Sequence, residues 1–197
     1  MRSNCSERRR LGLDKISRIE EKRSSPRILL IVSILFPMQI TVGIITVSDR
    51  ASQGEYEDLG GPALKQVAVQ SGWDVLAEAV VPDDLTRVQE TIRSFSEQGC
   101  GLVLTTGGTG IAERDITPEA IRGLMRLELP GFGEVMRAES MKITTNAILS
   151  RNLAAVVGRS LVIALPGKPT GAVECLGFVM GAIPHGVALA QRVPTSC

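Results

Sequence analysis

Aromatic side chains are scarce in this 197-residue chain, at 3% with one Trp and one Tyr, so a platform for stacking nucleic-acid bases is not expected. Histidine is rarer still. His185 is alone and sits late in an apolar helical stretch, where a structural or surface role suits it better than general-base catalysis. Cys5, Cys100, Cys175 and Cys197 are widely scattered with no C-x-x-C spacing, which argues against a zinc site or redox pair and for reduced thiols in a cytoplasmic protein. The apolar stretch at residues 28–36 ends at Pro37, short of the roughly 20 residues that a bilayer crossing takes. Its length would suit a signal-peptide core, but the basic segment before it is long and contains acids, and no small-x-small pattern follows. Three nucleotide and hydrolase signatures are missing too. Lys168 is followed by Pro169, which breaks a P-loop; Gly108-Thr109-Gly110 fails the dinucleotide pattern at its last glycine; and there is no G-x-S-x-G elbow.

Charge is nearly balanced at +1, but unevenly placed. Residues 1–37 carry nine Lys and Arg against four Asp and Glu, leaving the rest of the chain at −4. A mildly acidic globular part lacks the basic field of a nucleic-acid binder. Residues 1–38 read as an N-terminal extension, disordered or weakly helical, or as a mis-assigned start with the natural one at Met38; residues 39–197 read as one domain.

Within that domain the elements alternate. Residues 40–47 form a near-continuous β-branched run and predict a central strand ending at Ser48-Asp49-Arg50. A polar loop over residues 51–61 precedes a helix opened by Pro62 and stopped by Gly72, then a weaker strand at residues 75–81. After Pro82-Asp83-Asp84, the spacing of Leu85, Val88, Ile92 and Phe95 predicts an amphipathic helix closed by Gly99, and Leu102, Val103 and Leu104 begin a buried strand. This β-α-β-α-β order predicts a largely parallel sheet with helices on both faces. Beyond it, Thr117 is placed to cap a helix with Pro118 in its first turn, and a second helix covers residues 132–143. A hairpin follows, turning at Gly158-Arg159-Ser160, and then a bent helix from Thr170 with its bend near Pro184.

Ligands of open α/β sheets bind beyond the carboxyl ends of the strands. Four stretches should end there: Ser48-Asp49-Arg50, Pro82-Asp83-Asp84, residues 107–115, and Pro166-Gly167-Lys168-Pro169. Gly107, Gly108, Thr109 and Gly110 between a strand and a helix start can turn backbone N–H groups toward an anion. Arg114 adds a cation and Asp115 a carboxylate beside it. Carboxylates alone repel phosphate, so the mixture is best explained by a divalent cation such as Mg²⁺ bridging Asp side chains to phosphate oxygens. Each piece alone has an ordinary alternative: a strand-to-helix turn, a loop-end ion pair at Asp49-Arg50, a helix cap at Asp83 or Asp84, a turn serine at Ser160, a solvated Lys168.

Residues 46–52 (TVSDRAS), 105–110 (TTGGTG) with Arg114-Asp115, 130–134 (PGFGE) and 165–169 (LPGKP) together resemble the molybdopterin adenylyltransferase family, the Mog proteins and the G domain of gephyrin, over about residues 39–192. The resemblance implies a three-layer α/β/α sandwich with a mostly parallel central sheet and a small C-terminal hairpin subregion, assembled as a homotrimer. It implies Mg²⁺-dependent transfer of AMP from ATP to the terminal phosphate of molybdopterin, with hand-over of the product to a molybdenum insertase. By the same resemblance Asp115 and Asp83 are the catalytic carboxylates, acting through the metal. Ser48, Asp49, Gly107, Gly108, Thr109, Gly110 and Glu134 belong to substrate binding, with Ser160, Pro166, Gly167 and Lys168 in matching segments. A sister group, the MoaB-like proteins, shares the fold and glycine loop, so a non-catalytic pterin-binding or scaffold protein is the alternative. A nucleotide-binding module of an unrelated pathway is a third.

Overall fold

The structure, a computed structural model, describes residues 39–193. The readings of residues 1–38 and of Cys5 and Cys197 lie outside the described residues.

The strands are β1 (Thr41–Val47), β2 (Asp74–Val81), β3 (Leu102–Thr106), β4 (Leu127–Glu128), β5 (Ala154–Val157) and β6 (Ser160–Leu165), and they form one mixed sheet in the order β2-β1-β3-β6-β5-β4. β2, β1, β3 and β6 run parallel, as the alternating pattern predicts, while β5 is antiparallel to both its neighbours. The expected hairpin is built into this sheet: its second arm, β6, pairs directly with β3. β4 is only two residues long, too short for a periodic signal.

Helices cover both faces. On one side α3 (Leu85–Glu97) and α4 (Thr117–Arg122) set Val88, Ile92, Phe95, Ala120 and Ile121 against Ile45, Val47, Val103, Val162 and Ala164 of the strands. The alternation of Ile45 and Val47 on that face follows the two-residue period of a strand. The other side carries α2 (Gly60–Gln70), α5 (Pro130–Met141), α6 (Pro169–Val179) and α7 (Ile183–Ala190), with α5 and α2 both packed on α6. The predicted bend falls at a 3₁₀ turn, Met180–Ala182, one residue before Ile183-Pro184. Pro169–Ala190 is long and apolar enough to cross a membrane by length and composition, with mean hydropathy 1.5. Its Ala172, Leu176, Val179, Ile183 and Val187 are buried within this chain, so that apolarity serves the core.

Several local expectations shift. The polar segment after β1 opens with a short helix, α1 (Asp49–Ser52), capped by Ser48, whose hydroxyl accepts from the Ala51 amide. α2 starts two residues before Pro62, because Asp58 accepts from the Gly60 and Gly61 amides and anchors the first turn. Thr117 does not cap α4: the N-cap is Ile116, and the buried Thr117 hydroxyl donates instead to the Gly107 carbonyl. Of the apolar set expected to form the second helix only Met136 is buried; Val135 on α5 is exposed, and so is Ile143, which lies beyond the end of α5.

Candidate active site

Parallel strands end on one rim, and that common direction is what gathers the loops. Ser48 follows β1, Pro82 and Asp83 follow β2, Gly107 follows β3 and Pro166 follows β6. A cleft of about 350 Å³ opens there, lined by Ser48, Asp49, Asp58, Asp83, Gly107, Gly108, Arg114, Asp115 and Gly167 among others. The distant acidic and glycine-bearing segments therefore meet.

Asp49 and Asp83 hold each other's loops in place. The Asp49 amide donates to Asp83 Oδ2 at 2.8 Å, and the Asp83 amide donates to Asp49 Oδ1 at 3.1 Å. Arg114 crosses from the third loop to Asp49 at 2.6 Å. The helix cap falls to the next residue, Asp84, which accepts from the Arg87 amide. Asp83 is thus left to face the cleft. Burial pushes its carboxyl above the ordinary value of 3.8, and the charges of Asp49 and Asp115 push the same way, against the Asp49 amide and Arg114. A carboxyl with a raised folded value binds its proton more tightly folded than unfolded, so its ionisation weakens the fold as pH climbs from 3.8 through that raised value. Asp83→Asn keeps an oxygen for the Asp49 amide. It is expected to melt above the wild type at neutral pH, with the gap closing as pH falls toward 3.8; thermal unfolding across pH checks this, and a pH-independent gap would contradict it.

The glycine loop divides its work. Gly107 and Gly108 have φ of +104° and +62°, the left-handed region that favours glycine. A Cβ on Gly107 would lie 2.2 Å from the Val47 carbonyl oxygen, and one on Gly108 2.5 Å from the Thr117 hydroxyl. Gly107 spends its own N–H on the Leu165 carbonyl, 3.2 Å away, so its part is conformational. The amides of Gly108, Thr109 and Gly110 donate to no backbone carbonyl among the described residues, and unused amides at a strand-to-helix turn form an anion nest. Asp115 closes the loop by accepting from the Ala112 amide with Oδ2 at 2.7 Å.

Among the described residues no three His, Cys, Asp or Glu side chains converge to hold a metal by themselves. Asp83 and Asp115 each engage one oxygen with a backbone amide. That donor set fits a magnesium ion that keeps several waters and completes its shell with substrate phosphates.

The remaining site candidates fall elsewhere. Thr109, Gly110, Pro166, Gly167 and Lys168 line a second, larger cleft of about 710 Å³ with Met136, Arg137, Ser140, Asn152, Glu174 and Cys175. The two clefts share Gly167, and a Cβ there would lie 3.3 Å from the Gly107 Cα. The α5 and α6 residues of the second cleft were not legible as site residues, since their spacing is that of ordinary core helices. Asp58 was missed as well, although an acid two residues before Gly60-Gly61-Pro62 is a recognisable helix-start signal. Glu134 is exposed on α5 and lines neither cleft. Ser160 is a correction of place: it is the first residue of β6, at the opposite end of the strand from the rim. Its fully buried hydroxyl donates to the Cys100 carbonyl at 2.5 Å and sits 2.8 Å from the Ser96 hydroxyl. Ser160→Ala is expected to lower stability by about 1 kcal/mol in denaturant unfolding while leaving ligand binding at the rim unchanged. His185 is exposed and lines neither cleft.

A doubly covered α/β sheet with acidic side chains and open amides at its strand ends is an arrangement suited to phosphorylated small molecules. Comparison with known proteins supplies the family. Residues 43–185 match the family described as probable molybdopterin binding domain, and the chain belongs to that family. It is 46% identical over 153 residues to a molybdopterin adenylyltransferase of Helicobacter pylori, covering 76% of this chain and 87% of that one. The molybdopterin adenylyltransferase of Escherichia coli K12 is 38% identical, over 75% of this chain and 80% of the relative. Among solved structures, the molybdopterin biosynthesis enzyme MoaB of Thermus thermophilus superposes with a TM-score of 0.74 at 40% identity, over 80% of this chain and all of that one.

Proposed function

We propose that this chain adenylylates molybdopterin: ATP supplies AMP to the terminal phosphate of the pterin, pyrophosphate leaves, and magnesium is the metal. The observation that carries the reading is that Asp83 and Asp115 open onto one cleft with the glycine loop. The names of relatives at 38–46% identity support the choice of substrate.

The chemistry asks little of the protein beyond placement. A phosphate monoester is largely ionised near neutral pH, so its oxygen attacks the α-phosphorus without a histidine base, the bond from that phosphorus to the β-bridging oxygen breaks, and pyrophosphate carries the electron pair away. The amides of Gly108, Thr109 and Gly110 bind phosphate oxygens, and the mutual hold of Asp49 and Asp83 fixes the loop geometry. Bound magnesium would neutralise charge on the transferring phosphates. Two clefts meeting at Gly167 give each of two substrates its own wall while their reacting groups come together.

Incubation with molybdopterin, Mg²⁺ and labelled ATP is expected to release pyrophosphate only when all three are present. Pterin binding without release would favour the non-catalytic MoaB-like reading. We further propose a cytoplasmic homotrimer that hands its product to a molybdenum insertase; light scattering at one chain mass would remove the trimer.

A further inference from the structure

Arg151 makes more contacts with the loop that carries Asp115 than any other cation described above. Its backbone amide donates to the Thr109 carbonyl at 2.9 Å, and its Nε donates to the Gly110 carbonyl at 2.6 Å. The two terminal nitrogens reach the Asp115 carbonyl and the Glu119 carboxylate. One guanidinium therefore ties together both ends of residues 110–115 and the first turn of α4. Between those ends, Ile111, Ala112, Glu113 and Arg114 are exposed; Arg114 reaches across the cleft to the Asp49 carboxylate and the Asp83 carbonyl, and the Ala112 amide holds the Asp115 carboxylate. Meanwhile Ser150 and Asn152, the neighbours of Arg151, line the second cleft.

We propose that Arg151 is the positioning residue that holds Asp115 at reacting distance in the smaller cleft, and that it does so from a separate hollow of about 290 Å³, which it lines with Arg122 and Glu128. The inference rests on the adenylyltransferase reading for its catalytic meaning. A planar fork can serve several acceptors in fixed directions at once, which a lysine ammonium on a flexible stem cannot. Loss of the fork leaves Asp115 in place only on average, and a displacement of about 1 Å in a group-transfer site costs on the order of 10²-fold in rate.

The test compares Arg151→Ala and Arg151→Lys with Arg87→Ala, which removes a different paired arginine, bound to Glu90 on α3 outside both clefts. Two readouts are taken: pyrophosphate release as kcat and the KM for ATP, and amide hydrogen exchange of residues 110–115. Both Arg151 variants are expected to lose about 10- to 100-fold in kcat with the KM for ATP within about twofold, and to exchange faster in residues 110–115 alone. Arg87→Ala should match the wild type in both. If Arg151→Ala does not fold, Arg151→Lys decides. Wild-type kcat in Arg151→Lys, or unchanged exchange of the loop, overturns the proposal. A wild type that releases no pyrophosphate overturns the adenylyltransferase reading instead, and the exchange measurement then still judges the clamp.

Discussion

Replacing Asp115 with Asn is expected to reduce pyrophosphate release by at least about 10³-fold while leaving the melting temperature nearly unchanged. The fold should survive because the amide oxygen of Asn can still accept from the Ala112 N–H, the bond that closes the loop. What disappears is the negative charge on a carboxylate that opens onto the cleft beside Asp83. A 10³-fold loss corresponds to about 4 kcal/mol of transition-state stabilisation, within reach when a charge is removed from a site that, on the proposed reading, gathers phosphates and a cation. Rate and stability should therefore separate in this variant, and turnover near that of the wild type would remove Asp115 from the reaction.

Gly107→Ala should do the opposite and damage both. The added Cβ would stand 2.2 Å from the Val47 carbonyl oxygen, a backbone atom that cannot rotate aside, at a φ of +104° that L residues avoid. The strain alone amounts to about 1–3 kcal/mol, and the clash adds to it, so a loss of about 3 kcal/mol or more is expected, with a melting temperature lower by roughly 6–12 °C for a domain of this size. The loop cannot relax without moving β1 away from β3, which are paired along Val42–Thr46. Gly131→Ala provides the contrast, since nothing beyond its chain neighbours and its own helix backbone lies within 4 Å of the added Cβ; differential scanning calorimetry of the two variants checks the pair.

How much of this was readable in advance depends on the range of the signal. β1, β3 and α3 announce themselves through runs and spacings within a dozen residues, and so does the rim where their loops meet, because parallel strands must end on the same side. The Asp49–Asp83 exchange of hydrogen bonds links residues 34 apart, and no local pattern encodes it. The direct pairing of β6 with β3 was hidden for the same reason: a hairpin turn is visible in Gly158-Arg159, but which earlier strand accepts the hairpin is settled by packing. Ser160 enters the candidate site only through the family segment it matches, and strand direction sets it at the far end of β6 from the rim. Arg151 has no local signal either, since an arginine between Ser150 and Asn152 reads as a loop charge until the carbonyls it serves are in view.

Where Gly167 passes Gly107, glycine faces glycine, so at that crossing the two compartments are parted by main chain. The spacing there follows the strand registry beneath, β3 against β6, and not a side-chain rotamer. Drift in the outer walls of either chamber can alter what is admitted without changing that spacing.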